Sequence, residues 1–262
     1  MRRVRLCLEY DGTNFAGFQK QTGTGLRTVQ GVLEEALARL TGEGIKIVGA
    51  GRTDKGVHAL GQVVHFDTCS TIPGERFPAA LNGILPPDLI VLSAAQADPS
   101  FHARYGAVGK RYSYLILNSR RPTALWRNRC YQYPYSLDLA AMRQAVRFFH
   151  GEHDFRGFSA TGSSAQSTVR RIFSFDIDEQ GDWICFSVTA DGFLYKMVRL
   201  MVGTLLEVGR GKMRPQQVRD ILDRGERGKG GPALPPQGLY LVRVYYQGEE
   251  NGMFLDRVWP IP

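Results

Sequence analysis

The sequence is poor in the patterns that hold metals or disulfide frameworks. Its four cysteines, Cys7, Cys69, Cys130 and Cys185, are scattered through 262 residues with no CxxC pair. A disulfide scaffold is not expected in a chain this long, nor is a thiolate zinc or redox site. Four reduced thiols suit a cytoplasmic protein. Five histidines form no HExxH arrangement, and His150-Gly-Glu152 opens like a zinc deaminase signature that no PCxxC completes. There is no GxxxxGK[ST] phosphate loop, since Gly209-Arg-Gly-Lys212 is followed by Met213. Gly157-Phe-Ser159 lacks the second glycine of a hydrolase elbow. Metal-dependent and nucleotide-dependent enzymes are disfavoured. No apolar run is long enough for a membrane span, and Val4 to Tyr10 alternates rather than forming the apolar core of a signal peptide. No membrane association is expected.

What is present is a globular composition, 43% hydrophobic and 22% charged, with room for a sizeable core. Lysine and arginine outnumber the acids by 33 to 25, a net charge of +8. That excess favours a polyanionic partner, because phosphates need such an electrostatic footprint.

The first half reads βαββαβ. Val4 to Tyr10 alternates as a strand, and a Gly-rich loop leads to Thr28, a helix cap. Val29, Leu33, Ala36, Leu37 and Leu40 follow at helical spacing. Ile45 to Val48 and Gln62 to Phe66 read as strands, Phe77 to Ile84 as a short helix, and Ile90 to Ala95 as a strand. The second half opens with strands Arg111 to Leu117 and Arg129 to Tyr135, then a helix from Leu137 to Phe149. Strands Arg171 to Asp178 and Trp183 to Thr189 follow, then helices from about Phe193 to Val208 and Pro215 to Leu222. Leu239 to Tyr246 reads as the last strand. Minus its leading strand and one helix, this half repeats the βαββαβ pattern. The expectation is an α/β (α+β) protein of two ferredoxin-like halves with largely antiparallel sheets, 1–105 and 106–262, and a central cleft.

The segment Gly49 to Phe66 carries the chemistry. It links two apolar strands, holds glycines at 49, 51, 56 and 61, and presents Arg52 and Asp54 two residues apart. Glycines allow sharp turns and close ligand approach. A nearby guanidinium favours the ionised carboxylate, which can serve as a nucleophile; alternatively, Asp54 closes an Asx-turn. Gly49-Ala-Gly51 begins like a dinucleotide fingerprint, but Asp54 stands at the third glycine position and a strand follows.

Gly51-Arg-Thr-Asp-Lys-Gly-Val-His58 resembles the signature of the tRNA pseudouridine synthase A family. Other stretches agree in order: Glu9-Tyr-Asp-Gly12 with Phe15-Ala-Gly-Phe18-Gln, Phe101-His-Ala-Arg104, and Lys110-Arg-Tyr112-Ser-Tyr114. Gly151-Glu-His-Asp154-Phe, Met197-Val-Arg199 with Val202-Gly203, and Gly238-Leu239-Tyr-Leu complete the set. Departures are Phe18 for a frequent Trp, Lys55 for a frequent Ala, and Tyr195-Lys196 where some relatives carry a His pair.

The resemblance implies isomerisation of uridine to pseudouridine at positions 38, 39 and 40 of the tRNA anticodon arm, on a flipped base, by a homodimer. It makes Asp54 the nucleophile. Tyr112 contacts the uracil and takes part in removing the proton from carbon 5; Arg199 pairs with Asp54. Arg52 holds the flipped nucleotide, and Leu239 packs on its base. The reaction is redox-neutral and internal to the nucleotide, so no cofactor is required. An RNA-binding module without catalysis is the rival reading, but binding alone gives no reason to place a carboxylate near RNA phosphates.

Overall fold

Alternating Val4, Leu6, Leu8 and Tyr10 bury one face of strand β1, Arg2–Tyr10, as the period of a strand requires. The computed structural model describes residues 1–21, 23–162 and 166–248. The chain divides into two compact units, the first formed by Met1–Val108 with Tyr240–Gly248 and the second by Gly109–Leu239.

In the first unit β1 is followed by α1 (Val29–Thr41), β2 (Val48–Gly49), β3 (His58–Thr68), α2 (Phe77–Asn82) and β4 (Leu89–Ala97), the expected βαββαβ order. Thr28 caps α1, its hydroxyl accepting the Gly31 N–H at 3.2 Å. Such a cap stabilises a helix by about 1 kcal/mol. The helix buries Val29, Leu33, Ala36 and Leu37 and ends at Gly42 in the left-handed conformation. β3 and β4 pair antiparallel with the two edges of β1. Arg3 stands opposite Asp67 in this register and grips its carboxylate through two 2.8 Å hydrogen bonds. β10 (Leu239–Tyr246) comes from the far end of the chain. It runs parallel to β3, with Tyr240 opposite His58 and Leu241 opposite Ala59.

The second unit is built on antiparallel strands in the order β5 (Ala107–Leu117), β9 (Trp183–Ala190), β8 (Val169–Gln180) and β7 (Gly151–Asp154). β6 (Tyr131–Gln132) runs parallel beside the end of β5. Helices α3 (Leu139–Val146), α4 (Met197–Gly209) and α5 (Gln216–Arg224) complete it. Phe149, Phe155, Phe158 and Phe175 form its aromatic core.

The α/β class with largely antiparallel sheets is observed. Four elements differ from the sequence expectation. β2 is only two residues, and the Arg129 to Tyr135 strand shrinks to β6, beyond which the Asn118 side chain takes the Tyr133 and Tyr135 carbonyls, its Nδ2 donating at 2.8 Å to each. The helix expected from Phe193 starts at Met197, because Lys196 has φ 59° and interrupts helical geometry. β7 was not foreseen; Gly-Glu-His-Asp has no apolar alternation, and only its pairing with β8 makes it a strand. No helix among the described residues is long and apolar enough to cross a membrane.

Candidate active site

The Asp54 loop is held from inside. Residues 54 to 57 form a turn in which the Val57 N–H donates to the Asp54 carbonyl at 3.1 Å. Gly56 has φ 78°, which the third position of such a turn demands and a side chain resists. Thr53 is buried, and Tyr10 shares a 2.8 Å hydroxyl–hydroxyl hydrogen bond with it. Burial pushes the Tyr10 phenol up to about 12, against the pull of its hydrogen bond with Thr53, so it stays protonated at neutral pH. The Thr53 carbonyl accepts the Phe18 N–H at 3.0 Å, and the Gly51 carbonyl accepts Gln62 Nε2 at 2.8 Å. With Thr53 pinned inward, Asp54 is left half-buried and Arg52 exposed.

The stretch from Glu9 to Gln19 is therefore the mould on which this loop sets. The Gly12 N–H donates to His58 Nδ1 at 3.0 Å, and the Asp11 carboxylate lies 3.3 Å from the same nitrogen. Because that nitrogen accepts the Gly12 hydrogen bond, it does not also donate to Asp11. Thr13 holds the Asp11 carboxylate instead, donating its backbone N–H at 3.0 Å and its hydroxyl at 2.5 Å. Tyr240 stacks on His58 at 4.8 Å, so the last strand braces the end of the loop. Arg27 clamps the mould from outside, forking onto Asp88 at 2.7 and 2.8 Å while lying over the Phe15 ring.

Gly12 lies so close to the loop that an added Cβ would overlap the Val57 carbonyl. Gly12→Ala is expected to cost about 3 kcal/mol, the scale of an unrelieved backbone clash, with activity falling alongside. Thermal melting checks this; a wild-type midpoint would show that the close approach is dispensable.

In the second unit Tyr112 and Tyr114 face the same side of β5. Tyr114 is fully buried and donates its hydroxyl to the Pro235 carbonyl at 2.7 Å. Burial pushes its phenol well above the ordinary value, and the charge of Arg199 opposes the rise. Tyr114 is thus a structural donor. Tyr112 is 7% exposed, and its ring meets Phe193 edge-on at 5.0 Å. Arg199, on α4, is half-buried; its Nε donates to the Leu234 carbonyl at 2.5 Å, and the Leu234 N–H returns to the Arg199 carbonyl at 3.2 Å. It is anchored to this loop rather than extended to solvent. Leu239, 7% exposed, follows directly from the same 234–238 segment. The second unit thus gathers Tyr112, Arg199 and Leu239 around Tyr114, Phe193 and that segment, while the first carries Arg52 and Asp54. Sequence reasoning missed the supports Tyr10, Thr53, Tyr114 and Phe193. Each lies within or beside a quoted motif, but nothing in spacing separates a support from a core residue.

A family model described as tRNA pseudouridine synthase matches residues 6–106 and 145–247. A tRNA pseudouridine synthase A from Acetivibrio thermocellus is 49% identical over 94% of this chain and 100% of its own length. Proteins of the same name from Caldicellulosiruptor bescii and Caldicellulosiruptor saccharolyticus are 46% and 48% identical over the same shares. The chain belongs to the tRNA pseudouridine synthase A family. It is an enzyme that isomerises uridine to pseudouridine in tRNA.

Proposed function

We propose that this synthase acts on uridines 38, 39 and 40 of the tRNA anticodon arm, flipping each target base and using Asp54 as the nucleophile. Tyr112, Arg52, Arg199 and Leu239 bind the substrate in the roles that the family resemblance gives them. The observation that carries the reading is the Asp54 loop itself. Thr53, Gly56 and Val57 are each fixed by backbone or buried contacts, and Asp54 stays half-buried among them. A carboxylate so placed forms a transient adduct or traps the sugar while the glycosidic bond is open. Flipping costs a few kcal/mol of stacking, which phosphate contacts elsewhere on the arm offset. The reading includes a homodimer in the cytoplasm.

The test is to incubate the pure protein with unmodified tRNA and map pseudouridine by position. Product at 38, 39 or 40, and none elsewhere, is the expected result. Modification confined to another arm would reject the proposed target while leaving the family reaction intact.

A further inference from the structure

Half of the net charge of +8 sits on one loop. Between Leu117 and Asp138 stand Arg120, Arg121, Arg127 and Arg129, with no aspartate or glutamate among them. All four are exposed. The loop is firmly built: Gln132 Nε2 donates to the Ser119 and Arg121 carbonyls at 3.1 and 3.0 Å, and Asn118 ties its start to Tyr133 and Tyr135. Trp126 packs edge-on against Trp183 at 5.3 Å. Arg210 adds a further positive charge, lying over the Tyr135 ring at 4.4 Å.

Two acids beside the loop have partners of their own. The Asp138 carboxylate accepts the Ala141 N–H at 2.9 Å, and Glu207 lies 3.7 Å from Lys212. Asp182 meets the loop through its backbone carbonyl, which accepts the Asn118 N–H at 2.7 Å.

We propose that the 118–135 loop is an RNA-contact surface, separate from the residues assigned to the reacting uridine, that holds the sugar–phosphate backbone of tRNA. Guanidinium groups suit phosphate oxygens bidentately. Arginines carried on a pre-ordered loop lose less freedom on binding than arginines on a mobile one. Leu125, 85% exposed, and Tyr135, 54% exposed, also leave apolar surface on this face, as a protein partner would require. Charge favours a polyanion over a second copy of this basic chain, because the loop carries four positive charges and no carboxylate of its own. The inference rests on tRNA as the substrate, and it adds where on the surface the RNA is gripped.

Two triple variants test it, Arg120→Gln/Arg121→Gln/Arg127→Gln and the corresponding triple to Lys. Each is compared with wild type for tRNA affinity across salt, KM and kcat, melting temperature and oligomeric state. The Gln triple should melt like wild type, with KM for tRNA raised about tenfold and kcat at saturating tRNA changed by less than about twofold. Its log–log salt slope should fall by about 2, since each phosphate contact contributes about 0.7 to 0.9. The Lys triple should recover most of the affinity, because it keeps the charge. Unchanged affinity and slope in the Gln triple would overturn the proposal. So would a Lys triple no better than Gln, or an affinity loss that appears only with a change in oligomeric state. A wild-type protein that makes no pseudouridine in tRNA would instead undo the substrate reading, which the affinity measurements detect separately.

Discussion

Asp54→Asn is expected to abolish pseudouridine formation while the protein remains folded and bound to tRNA. The turn that presents Asp54 is closed by its backbone carbonyl, which accepts the Val57 N–H at 3.1 Å and is unchanged in asparagine. The loop is further pinned by Thr53 on Tyr10 and Gly51 on Gln62, none of which involves the Asp54 carboxylate. Asparagine also keeps the shape of the side chain, so the variant should remain folded at the assay temperature. Activity should fall by at least about a thousandfold, because an amide can neither add to carbon nor balance developing positive charge on the sugar. Binding of tRNA should persist or tighten, since one negative charge near the RNA is gone. Thermal melting and tRNA affinity measured beside pseudouridine yield make the test. If Asp54 only shapes a turn, asparagine serves as well there. A folded, tRNA-binding variant that turns over at the normal rate would sink the nucleophile assignment.

The second large effect is expected at Tyr112. Tyr112→Phe keeps the ring that meets Phe193 at 5.0 Å and removes only the hydroxyl. The tyrosine beside it on the same face cannot substitute, because the Tyr114 hydroxyl is committed to the Pro235 carbonyl at 2.7 Å and its ring is fully buried. Loss of a group that moves a proton in the rate-determining step typically costs a factor of about 10² to 10⁴, and kcat should fall within that range. Affinity for tRNA should change by less than about twofold, since most of the binding energy comes from phosphates rather than from one phenol. Single-turnover kinetics separate the two quantities. Wild-type turnover would make Tyr112 a packing residue, and an affinity loss with normal kcat would make it a binding residue without a part in proton transfer.

Supporting residues decide how sharply these two effects appear. Gly12, Tyr10 and Thr53 hold the Asp54 loop, whereas Phe193 and the 234–238 segment hold Tyr112 and Arg199. Substitutions at the supports should lower stability and activity together. The two substitutions argued above should instead separate activity from stability, and that contrast distinguishes a chemical group from its scaffold.

Local pattern was enough for much of this protein. The alternation of Val4, Leu6, Leu8 and Tyr10 specifies β1, and Thr28 with its apolar spacing specifies α1, because each depends on neighbours within a few residues. The glycine-bracketed Arg52 and Asp54 were visible for the same reason, as a short loop with its own turn chemistry. The family resemblance, carried by motifs spread over the chain, reached the reaction class that the comparisons establish.

What the sequence could not specify are the pairings made over long separations. Nothing in Leu239 to Tyr246 distinguishes pairing with its neighbours from a return to β3, yet Tyr240 lies opposite His58 and its ring covers the end of the Asp54 loop. β7 exists only because β8 offers a partner edge, and beyond β6 the Asn118 side chain takes the Tyr133 and Tyr135 carbonyls. α4 begins at Met197 because Lys196 takes a left-handed turn, a choice that helical spacing does not register. Whether Tyr112 or Tyr114 was the structural member of the pair was likewise a tertiary matter. The two alternate identically along the strand, and only the Pro235 carbonyl, brought in from a distant segment, ties down the hydroxyl of Tyr114.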